Sequence, residues 1–365
     1  MNIAIDANEA NIIKRVGIGR YAFNVLWGIY NIAKKSREKV KFVVLTKSQP
    51  VADMPISHSF WQYKVLNPGF LWTQIALRRY LKVINEKPDL LFTTSHYAPY
   101  LTDIKTIISI MDLSYIHYPK LFNRIDLIKL KYLTALSVKK ARKIITISKF
   151  SKSEIVNFYG INPDKITVAY PGVETDIFKP AKTENNSSYI LFVGTLQPRK
   201  NIAGLIKAFK LISSDHNLKL VIAGKKGWLY ENIFSEVRKY GLQDRIIFKD
   251  YVNEYDLIKL YQKAVCFVLP SFYEGFGIPV IEAMACGCPV IVSNSSSLAE
   301  IVGNAGLRIN PYKHEEIAKA IIKVISDKDT REKLKVEGIR QAKNFSWQKT
   351  SQIIYTNLIS EALNK

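Results

Sequence analysis

Residues 269–291, LPSFYEGFGIPVIEAMACGCPVI, are the strongest indication of how the second half of the chain folds. The apolar run that leads into it is expected to end as a buried strand at Leu269, and a glycine-containing loop follows. A helix is predicted to begin near Ile278, with Pro279 in its first turn, and Gly287 is expected to end it just before another apolar run. This order of strand, loop, helix and strand is typical of a parallel α/β unit.

Short β-branched runs alternate with amphipathic stretches along the rest of the chain. In the first half, strands are predicted at 2–6, 41–46, 89–94, 106–111, 143–148 and 165–170, helices at 18–35, 71–86 and 125–141, and a capping box of Ser151 and Glu154 before another helix. After a break at 171–180 and a polar loop at 181–188, strands are predicted at 189–194, 219–224, 245–250, 264–270 and 289–293, and helices at 201–214, 253–263 and 278–286. The chain is predicted to be helical from 313, with a last amphipathic helix at 345–363.

This repeated alternation predicts an α/β protein with two doubly wound, Rossmann-like domains that face a shared cleft. A length of 365 residues suits two domains. The sequence shows neither a signal peptide nor a membrane span, and its three cysteines (Cys266, Cys286 and Cys288) are expected to be small buried residues in a reducing cytosol. The protein is therefore expected to be cytoplasmic.

The charge balance is strongly basic, with a formal net charge of +22. The excess is concentrated before residue 176, where 26 basic and 12 acidic residues compare with 27 and 19 in the remainder. Such a surface favours an anionic partner: a phosphorylated substrate, an anionic membrane or a nucleic acid. No nucleic-acid-binding module is recognisable, so nucleic acid is the least favoured partner.

Two carboxylates bracket the glycine loop. Backbone N–H groups around Gly275 and Gly277, beside the positive end of a helix, suit a diphosphate. Glu274 precedes the turn and Glu282 lies inside the helix, and carboxylates accept hydrogen bonds from hydroxyl groups. A diphosphate that carries a sugar on one side and a ribose on the other would match this order. A glycine turn with two surface glutamates is the alternative.

A second segment, ILFVGTLQPRKN (190–201), brings Gly194 and Thr195 to the carboxyl end of a strand. Arg199 and Lys200 follow just before a helix, where two cations suit a leaving diphosphate. A solvated pair of basic residues is the alternative.

A third segment, RVGIGRY (15–21), offers Gly17 and Gly19 with Arg15 and Arg20 alongside. It predicts an anion-binding loop after the first strand, although it is not a full dinucleotide fingerprint.

Together these residues resemble glycosyltransferase family 4, retaining enzymes of the GT-B fold. The resemblance spans nearly the whole chain and includes VGIGRY, VGTLQPRKN, PGVETDIFKP, the acidic signature of Glu274 and Glu282, and FSW at 345–347. The segments IDANEA, MDLSYIHYP (111–119) and GKKGWLYENIF (224–234) are similar to the branch of bacterial O-antigen mannosyltransferases. The resemblance implies domains at 1–175 (acceptor side) and 176–344 (nucleotide sugar), with 345–365 returning to the first domain.

The resemblance also implies roles for individual residues. Glu274 would contact the donor sugar, Glu282 the ribose, and Arg199 with Lys200 the diphosphate. The remaining implied donor-binding residues are Gly17, Gly19, Gly194, Thr195, Gly275, Phe276, Gly277 and Ile278, with the base near Lys249, Asp250 and Tyr251.

The chain departs from the family at Met111-Asp112, where relatives of this branch carry His-Asp. Methionine cannot donate a hydrogen bond to a sugar. His117 is a candidate substitute, with an ordinary loop histidine as the alternative, and Asp112 and His117 are therefore included among the candidate catalytic residues.

The expected reaction is retaining transfer of a hexose, with mannose favoured, from a nucleotide-diphosphate sugar to a glycan or a lipid-linked acceptor. The only Asp-x-Asp, Asp327-Lys328-Asp329, is interpreted as a turn and cap, so neither a metal nor another cofactor is expected. Another GT-B activity (an epimerase or a phosphorylase), an inactive sugar-nucleotide-binding protein and a basic nucleic-acid-binding protein remain as alternatives.

The segment 125–143 combines many basic residues with a predicted helical apolar face. That face contains Ile125, Ile128, Tyr132, Leu136 and Val138, and the basic residues are Lys129, Lys131, Lys139, Lys140, Arg142 and Lys143. A core-facing helix with a solvated back is one interpretation. The resemblance favours the other, a first domain that docks on an anionic membrane surface.

Overall fold

The computed structural model describes residues 1–67, 71–182, 189–214 and 217–364. The chain divides into two units: unit 1 comprises Met1–Pro171 with Trp347–Lys365, and unit 2 comprises Gly172–Ser346. Most of the predicted loop at 181–188 lies outside the described residues.

Unit 1 is built on a sheet in which every described neighbouring pair of strands is parallel. Its strands are β1 (Asn2–Asp6), β2 (Lys41–Thr46), β3 (Trp61–Val65), β4 (Leu90–Thr93), β5 (Lys105–Ile110), β6 (Lys143–Thr146) and β7 (Ile166–Val168). Their spatial order is β3-β2-β1-β4-β5-β6-β7. The order reverses between β1 and β4, so that a crevice is expected at the carboxyl ends of these two strands.

Helices of unit 1 cover this sheet. They are α1 (Ile18–Lys35), α2 (Arg78–Val83), α3 (Ser114–His117), α4 (Arg124–Lys140) and α5 (Lys149–Tyr159). The helix predicted at 71–86 is a π-helical turn at Thr73–Leu77 followed by α2. The predicted capping box is wrong: Ser148 caps α5 by accepting from the Ser151 backbone N–H, which places Ser151 already inside the helix.

The apolar face predicted for α4 is also wrong in part. Val138 is fully buried on the core side, together with Thr134 and Ser137. Ile125, Ile128 and Tyr132 instead face solvent, with 67%, 66% and 68% of their surface exposed. Apolar residues therefore occur on two sides of this helix, and only one side contributes to the core.

Unit 2 has the same architecture. Its strands are β8 (Tyr189–Val193), β9 (Lys219–Ala223), β10 (Ile246–Lys249), β11 (Cys266–Leu269), β12 (Val290–Ser293) and β13 (Leu307–Ile309). Its helices are α6 (Ile202–Ile212), α7 (Glu231–Lys239), α8 (Glu254–Lys263), α9 (Ile278–Ala285), α10 (Leu298–Val302), α11 (His314–Ser326) and α12 (Lys328–Ala342). The strand order is β10-β9-β8-β11-β12-β13, and the pairing is parallel. The predicted fold class, two Rossmann-like α/β domains, is confirmed.

The last helix, α13 (Trp347–Leu363), belongs to unit 1 and packs on α1. The contact is close at Gly28, where an added Cβ atom would lie 1.8 Å from Oγ of Ser351, so that only glycine fits. Thr350 Oγ1 donates to the Tyr170 carbonyl oxygen and further ties the helix to this unit.

Two expectations about single residues are confirmed. Asp327 caps α12 by accepting from the Thr330 backbone N–H at 3.0 Å, and the three cysteines are buried and unpaired. No helix within the described ranges is long and apolar enough to cross a membrane.

Candidate active site

The candidate site in unit 2 lies where β8 and β11 are neighbours and the strand order reverses. Gly194 and Thr195 follow β8, and a short 3₁₀ turn, Pro198–Lys200, precedes α6. The signature loop follows β11 and leads into α9. Both loops therefore leave the carboxyl edge of the sheet at its switch point, where doubly wound folds bind their ligands.

Three of the predicted catalytic side chains form one cluster at this point. Nη1 of Arg199 lies 3.0 Å from Oε2 of Glu274 and also donates to the Tyr273 carbonyl oxygen at 2.6 Å. Nζ of Lys200 pairs with Oε1 of Glu274, which also accepts from Ser271 Oγ at 2.7 Å. The side chains of Arg199, Lys200 and Glu274 are only 15%, 12% and 7% exposed, so their charges are poorly screened by water.

The two cations determine the ionisation of Glu274. Burial by itself would raise the pKa of this carboxyl, but the charges of Lys200 and Arg199 and the hydrogen bonds from Lys200 and Ser271 outweigh burial. They lower the pKa from its usual 4.5 to about 2. Glu274 is therefore a carboxylate at neutral pH, and the cluster keeps one net positive charge.

The signature loop ends in the geometry that the glycines predict. Gly277 caps α9 with φ +105°, a backbone conformation that disfavours other residues, and an added Cβ atom would lie 2.7 Å from Leu298. Ile278 is the first residue of α9, and Phe276 is buried against Phe345 with ring centroids 5.5 Å apart. Gly275 is buried within the same loop. α9 therefore begins four residues after Glu274, at the end of a largely buried loop.

Serines at and just after the end of β12 support this loop and were not identified from the sequence. The Glu274 backbone N–H donates to Ser296 Oγ at 3.0 Å, and Ser297 Oγ donates to the Glu274 carbonyl oxygen at 2.8 Å. Ser293 Oγ donates to the Ser271 carbonyl oxygen at 2.6 Å. The signal that could have revealed these residues is three consecutive serines at the carboxyl end of a strand.

The second carboxylate of the signature has a different environment. Glu282 lies in α9, is 2% exposed, and its Oε2 accepts from the Tyr261 hydroxyl at 3.1 Å. Tyr261 of α8 therefore helps to hold this carboxylate in place.

The segment predicted to contact the base lies at the end of β10. Lys249 is the last residue of this strand, and Asp250 and Tyr251 follow it on the exposed surface. Nζ of Lys225 lies 5.1 Å from the centre of the Tyr251 ring. An exposed aromatic ring with a cation beside it is available for stacking.

The glycine loop of unit 1 forms the start of α1. Gly17 caps this helix and Gly19 lies in its first turn. Arg15 does not offer a free cation, because both of its terminal nitrogens pair with Asp53, at 2.5 and 2.8 Å.

The histidine that the sequence offers as a substitute at Met111 is engaged elsewhere. Nε2 of His117 pairs with Glu154 of α5, and the His117 side chain is 43% exposed. Asp112 accepts from the Ser114 backbone N–H at 2.8 Å at the start of α3. A different histidine, His96, lies three residues after β4; burial lowers its pKa, and the charge of Asp112 opposes this shift. Its place after a strand is the one signal in the sequence that could have found it.

Among the described residues, no group of three or more His, Cys, Asp or Glu side chains is arranged to hold a metal ion.

Two family models match adjoining parts of the chain. Residues 28–177 match the model "Glycosyltransferase Family 4", and residues 173–341 match "Glycosyl transferases group 1". Together they span residues 28–341, in both units, and with the fold they define the chain as a glycosyltransferase of the GT-B class.

Individual proteins and solved structures are also similar to this chain. The chain is 36% identical over 231 residues to the O-antigen chain mannosyltransferase B of Escherichia coli, covering 60% of this chain and 61% of that protein. It is 35% identical over 247 residues to the O-antigen chain mannosyltransferase RfbU of Salmonella typhimurium, covering 68% and 67%. The crystal structure of HepE from Anabaena with UDP and glucose superposes with a TM-score of 0.74 at 18% identity, covering 98% and 99%. The chain belongs to glycosyltransferase family 4.

Proposed function

We propose that this chain transfers a hexose, with mannose favoured, from a nucleotide-diphosphate sugar to a glycan or lipid-linked acceptor, with retention of configuration and without a metal. The cluster of Arg199, Lys200 and Glu274 at the switch point of unit 2 carries this proposal. The O-antigen mannosyltransferases to which the chain is similar support the sugar and the class of acceptor.

The donor diphosphate would take the place beside the two cations. Arg199 offers a planar pair of donors and Lys200 a compact charge, both on a 3₁₀ turn that is fixed to the signature loop. The N-terminus of α9 adds further positive potential. Glu274, which both cations hold in its ionised form, accepts hydrogen bonds from the donor sugar and orients it. Glu282 would hold the ribose, and Tyr251 would stack on the base.

The reaction then needs no side-chain nucleophile. The bond between the anomeric carbon and the diphosphate oxygen breaks first, and positive charge develops on the sugar while negative charge develops on the leaving diphosphate. Arg199 and Lys200 stabilise that negative charge because they are fixed in place before the reaction. The acceptor oxygen attacks from the same face, and its proton passes to the departing diphosphate oxygen.

Metal-independent transfer is tested directly with the purified full-length chain. With GDP-mannose, UDP-glucose and related donors, we expect release of the nucleoside diphosphate to be unchanged within about twofold by EDTA. The measurement is product release with and without EDTA, and with added magnesium or manganese. A strict requirement for either ion would overturn the assignment of the diphosphate charge to Arg199 and Lys200.

We also propose that unit 1 docks on the anionic inner face of the cell membrane through α4. The exposed stripe of Ile125, Ile128 and Tyr132 recurs at three- and four-residue spacing, as on one side of a helix. Arg124, Lys131 and Lys139 are exposed on the same helix. An apolar stripe with basic neighbours fits an interface of anionic lipid headgroups and acyl chains.

Other basic residues of this region are poorer probes, because they make contacts within the chain. Nζ of Lys140 donates to the Tyr100 carbonyl oxygen, Nζ of Lys143 donates to that of Asp164, and Arg142 pairs with Glu361. Substituting them would combine a charge effect with a structural effect.

Binding to vesicles is therefore measured by sedimentation for two triple variants at exposed positions of α4. The first removes three cations (Arg124→Gln/Lys131→Gln/Lys139→Gln), and the second removes the apolar stripe (Ile125→Ser/Ile128→Ser/Tyr132→Ser). Each near-surface cation is worth about 1 kcal/mol, so the first set is expected to weaken binding to anionic vesicles by about a hundredfold. The control, Lys319→Gln/Lys328→Gln/Lys333→Gln, removes three cations from unit 2 and should bind like the wild type. Binding that is unaffected by the anionic lipid content, the salt concentration and both sets of substitutions would contradict docking by α4.

A further inference from the structure

Unit 2 contains a cavity of about 340 Å³ that none of the roles proposed above uses. Pro198 and Asn201, which flank Arg199 and Lys200 in the chain, both line it. Among the described residues, neither these two cations nor Glu274 contributes to the lining. The cavity is therefore separate from the cluster at the switch point, although the two share the turn Pro198–Lys200.

The walls of the cavity are aromatic and apolar. The rings of Phe272 and Tyr312 stack with centroids 4.9 Å apart and planes inclined by 26°, and Tyr312 is 72% exposed. Ile202 at the start of α6 and Ile233 of α7 add buried aliphatic side chains. A cavity at the lower end of the size range of small-molecule sites, with an aromatic wall, favours a flat ring system as its ligand.

One residue of the lining has a strained backbone. Leu229 has a φ of +56°, in the left-handed region that disfavours leucine, and it is 55% exposed. The chain just before it is anchored, because the Gly227 backbone N–H donates to the Leu196 carbonyl oxygen at 3.0 Å. Strained residues that the surrounding structure holds in place occur preferentially at functional sites. Leu229 is thus an apolar side chain that is held at the cavity while it remains largely exposed to solvent.

The charge of the cavity defines the ligand further. Lys207 of α6 lines the cavity, is half-buried, and makes neither a hydrogen bond nor an ion pair among the described residues. His314 also lines it, but its Nε2 lies 3.0 Å from Oε1 of Glu315. None of the described lining residues is Asp or Glu. Because lysine is seldom buried without a counter-charge, this arrangement favours an anionic group on the ligand.

The walls of the cavity also hold the turn that carries the two cations. The Phe272 backbone N–H donates to the Arg199 carbonyl oxygen at 2.9 Å, and Nδ2 of Asn201 donates to the Pro311 carbonyl oxygen at 2.6 Å. Phe272 and Pro311 both line the cavity. A ligand that packs against them stabilises the arrangement in which the turn is anchored over arrangements in which it is not.

We propose that this cavity is an effector site for a flat aromatic anion, which stacks on the wall of Phe272 and Tyr312, places its anionic group at Lys207, and raises the affinity of unit 2 for a nucleoside diphosphate. The binding site stands on the cavity alone. The effector role rests on the proposed function, because it acts through the turn whose cations, Arg199 and Lys200, are assigned to the donor diphosphate.

Ligand-observed NMR titration of the full-length chain tests the site. The probes are 2-naphthoate, the neutral 2-naphthalenemethanol, and decahydronaphthalene-2-carboxylate, whose rings are not flat. We expect 2-naphthoate to bind about tenfold more tightly than either of the other probes, since each of them lacks one of the two recognised features. Lys207→Gln should remove the advantage over the neutral probe, and Tyr312→Ser the advantage over the saturated one. Lys210→Gln, exposed on the same helix and outside the lining, is the matched control.

Calorimetric titration with UDP and GDP tests the effector role. In saturating 2-naphthoate, the affinity for at least one of these nucleotides should rise by about fivefold or more, as is typical of coupled sites. Lys207→Gln should lose this rise and keep the wild-type nucleotide affinity measured without 2-naphthoate, which also reports that the variant is folded.

Equal binding of the three probes, or binding that is indifferent to Lys207→Gln and Tyr312→Ser, would overturn the site. Complete displacement of 2-naphthoate by a nucleotide would do the same, because it would place the probe in the donor site. Unchanged nucleotide affinity in the presence of 2-naphthoate would overturn the effector role. Failure of the proposed transfer would appear separately, as absence of donor turnover in a wild type that still binds 2-naphthoate.

Discussion

Replacing both Arg199 and Lys200 with alanine is expected to lower the rate of transfer by at least about a thousandfold, because single preorganised donors to a developing negative charge are each worth about a hundredfold or more. Both side chains are mostly buried and fixed to Glu274, so their positions are set before the donor arrives. Product release under single-turnover conditions measures the effect on the chemical step.

The double variant also leaves Glu274 buried without its cations, which costs about 3–5 kcal/mol when one partner of a buried pair is removed. Arg199→Ala/Lys200→Ala/Glu274→Gln separates folding from chemistry, since the neutral amide removes the unpaired charge. We expect this triple variant to recover much of the lost thermal stability and none of the activity. Lys328→Ala/Lys333→Ala on α12 is the control, since both residues are exposed.

A double variant that folds and keeps turnover within tenfold of the wild type would show that the cations are structural. The charge of the leaving diphosphate would then have to be offset by another group, and the site would have to be assigned anew.

The fold could be predicted from the sequence wherever strands are buried on both faces. β1, β4, β11 and β12 are short, mainly apolar and almost wholly buried, and each was predicted within two residues of its ends. β3 was missed because WQYKV alternates buried with more exposed positions. This pattern is typical of a strand at the edge of a sheet, and β3 pairs with β2 alone among the described strands. β13 was missed because it has three residues, one of them Arg308.

The chemistry of the site was predictable residue by residue, but the contacts were not. Arg199 and Glu274 are 75 positions apart. Each could be placed at the end of a strand, yet their meeting depends on β11 pairing with β8 rather than with the strands between them in the chain. The serines after β12 reach the signature loop for the same reason. His96 and Asp112 both follow strands that are neighbours in the sheet, β4 and β5, and local periodicity does not reveal this pairing.

The acidic signature should separate into two effects when each carboxylate is changed. Glu282→Ala is expected to weaken nucleotide binding by about 1–3 kcal/mol, the range for a lost hydrogen bond to a charged group. Because Glu282 also accepts from the Tyr261 hydroxyl, Tyr261→Phe is its matched control and should leave nucleotide affinity nearly unchanged. Calorimetric titration of UDP and GDP measures both variants. Equal losses of nucleotide affinity in the two variants would show that Glu282 acts through packing between α8 and α9.

Glu274→Gln is expected to do the opposite. Nucleotide affinity should be nearly unchanged, and the rate of transfer should be lower by at least about a hundredfold, because the sugar and both cations lose their charged partner.

Glu274→Gln should also change how the stability of the protein depends on pH. The pKa of Glu274 is about 2 in the folded chain and 4.5 as its usual value, so the stability it contributes is present above about 4.5 and is lost as the pH falls toward 2. The melting temperature of the wild type should therefore fall more steeply between about pH 5 and pH 2 than that of Glu274→Gln, wherever both proteins stay soluble. Wild-type turnover, or parallel pH profiles for the two proteins, would show that Glu274 neither orients the sugar nor depends on Arg199 and Lys200 for its charge.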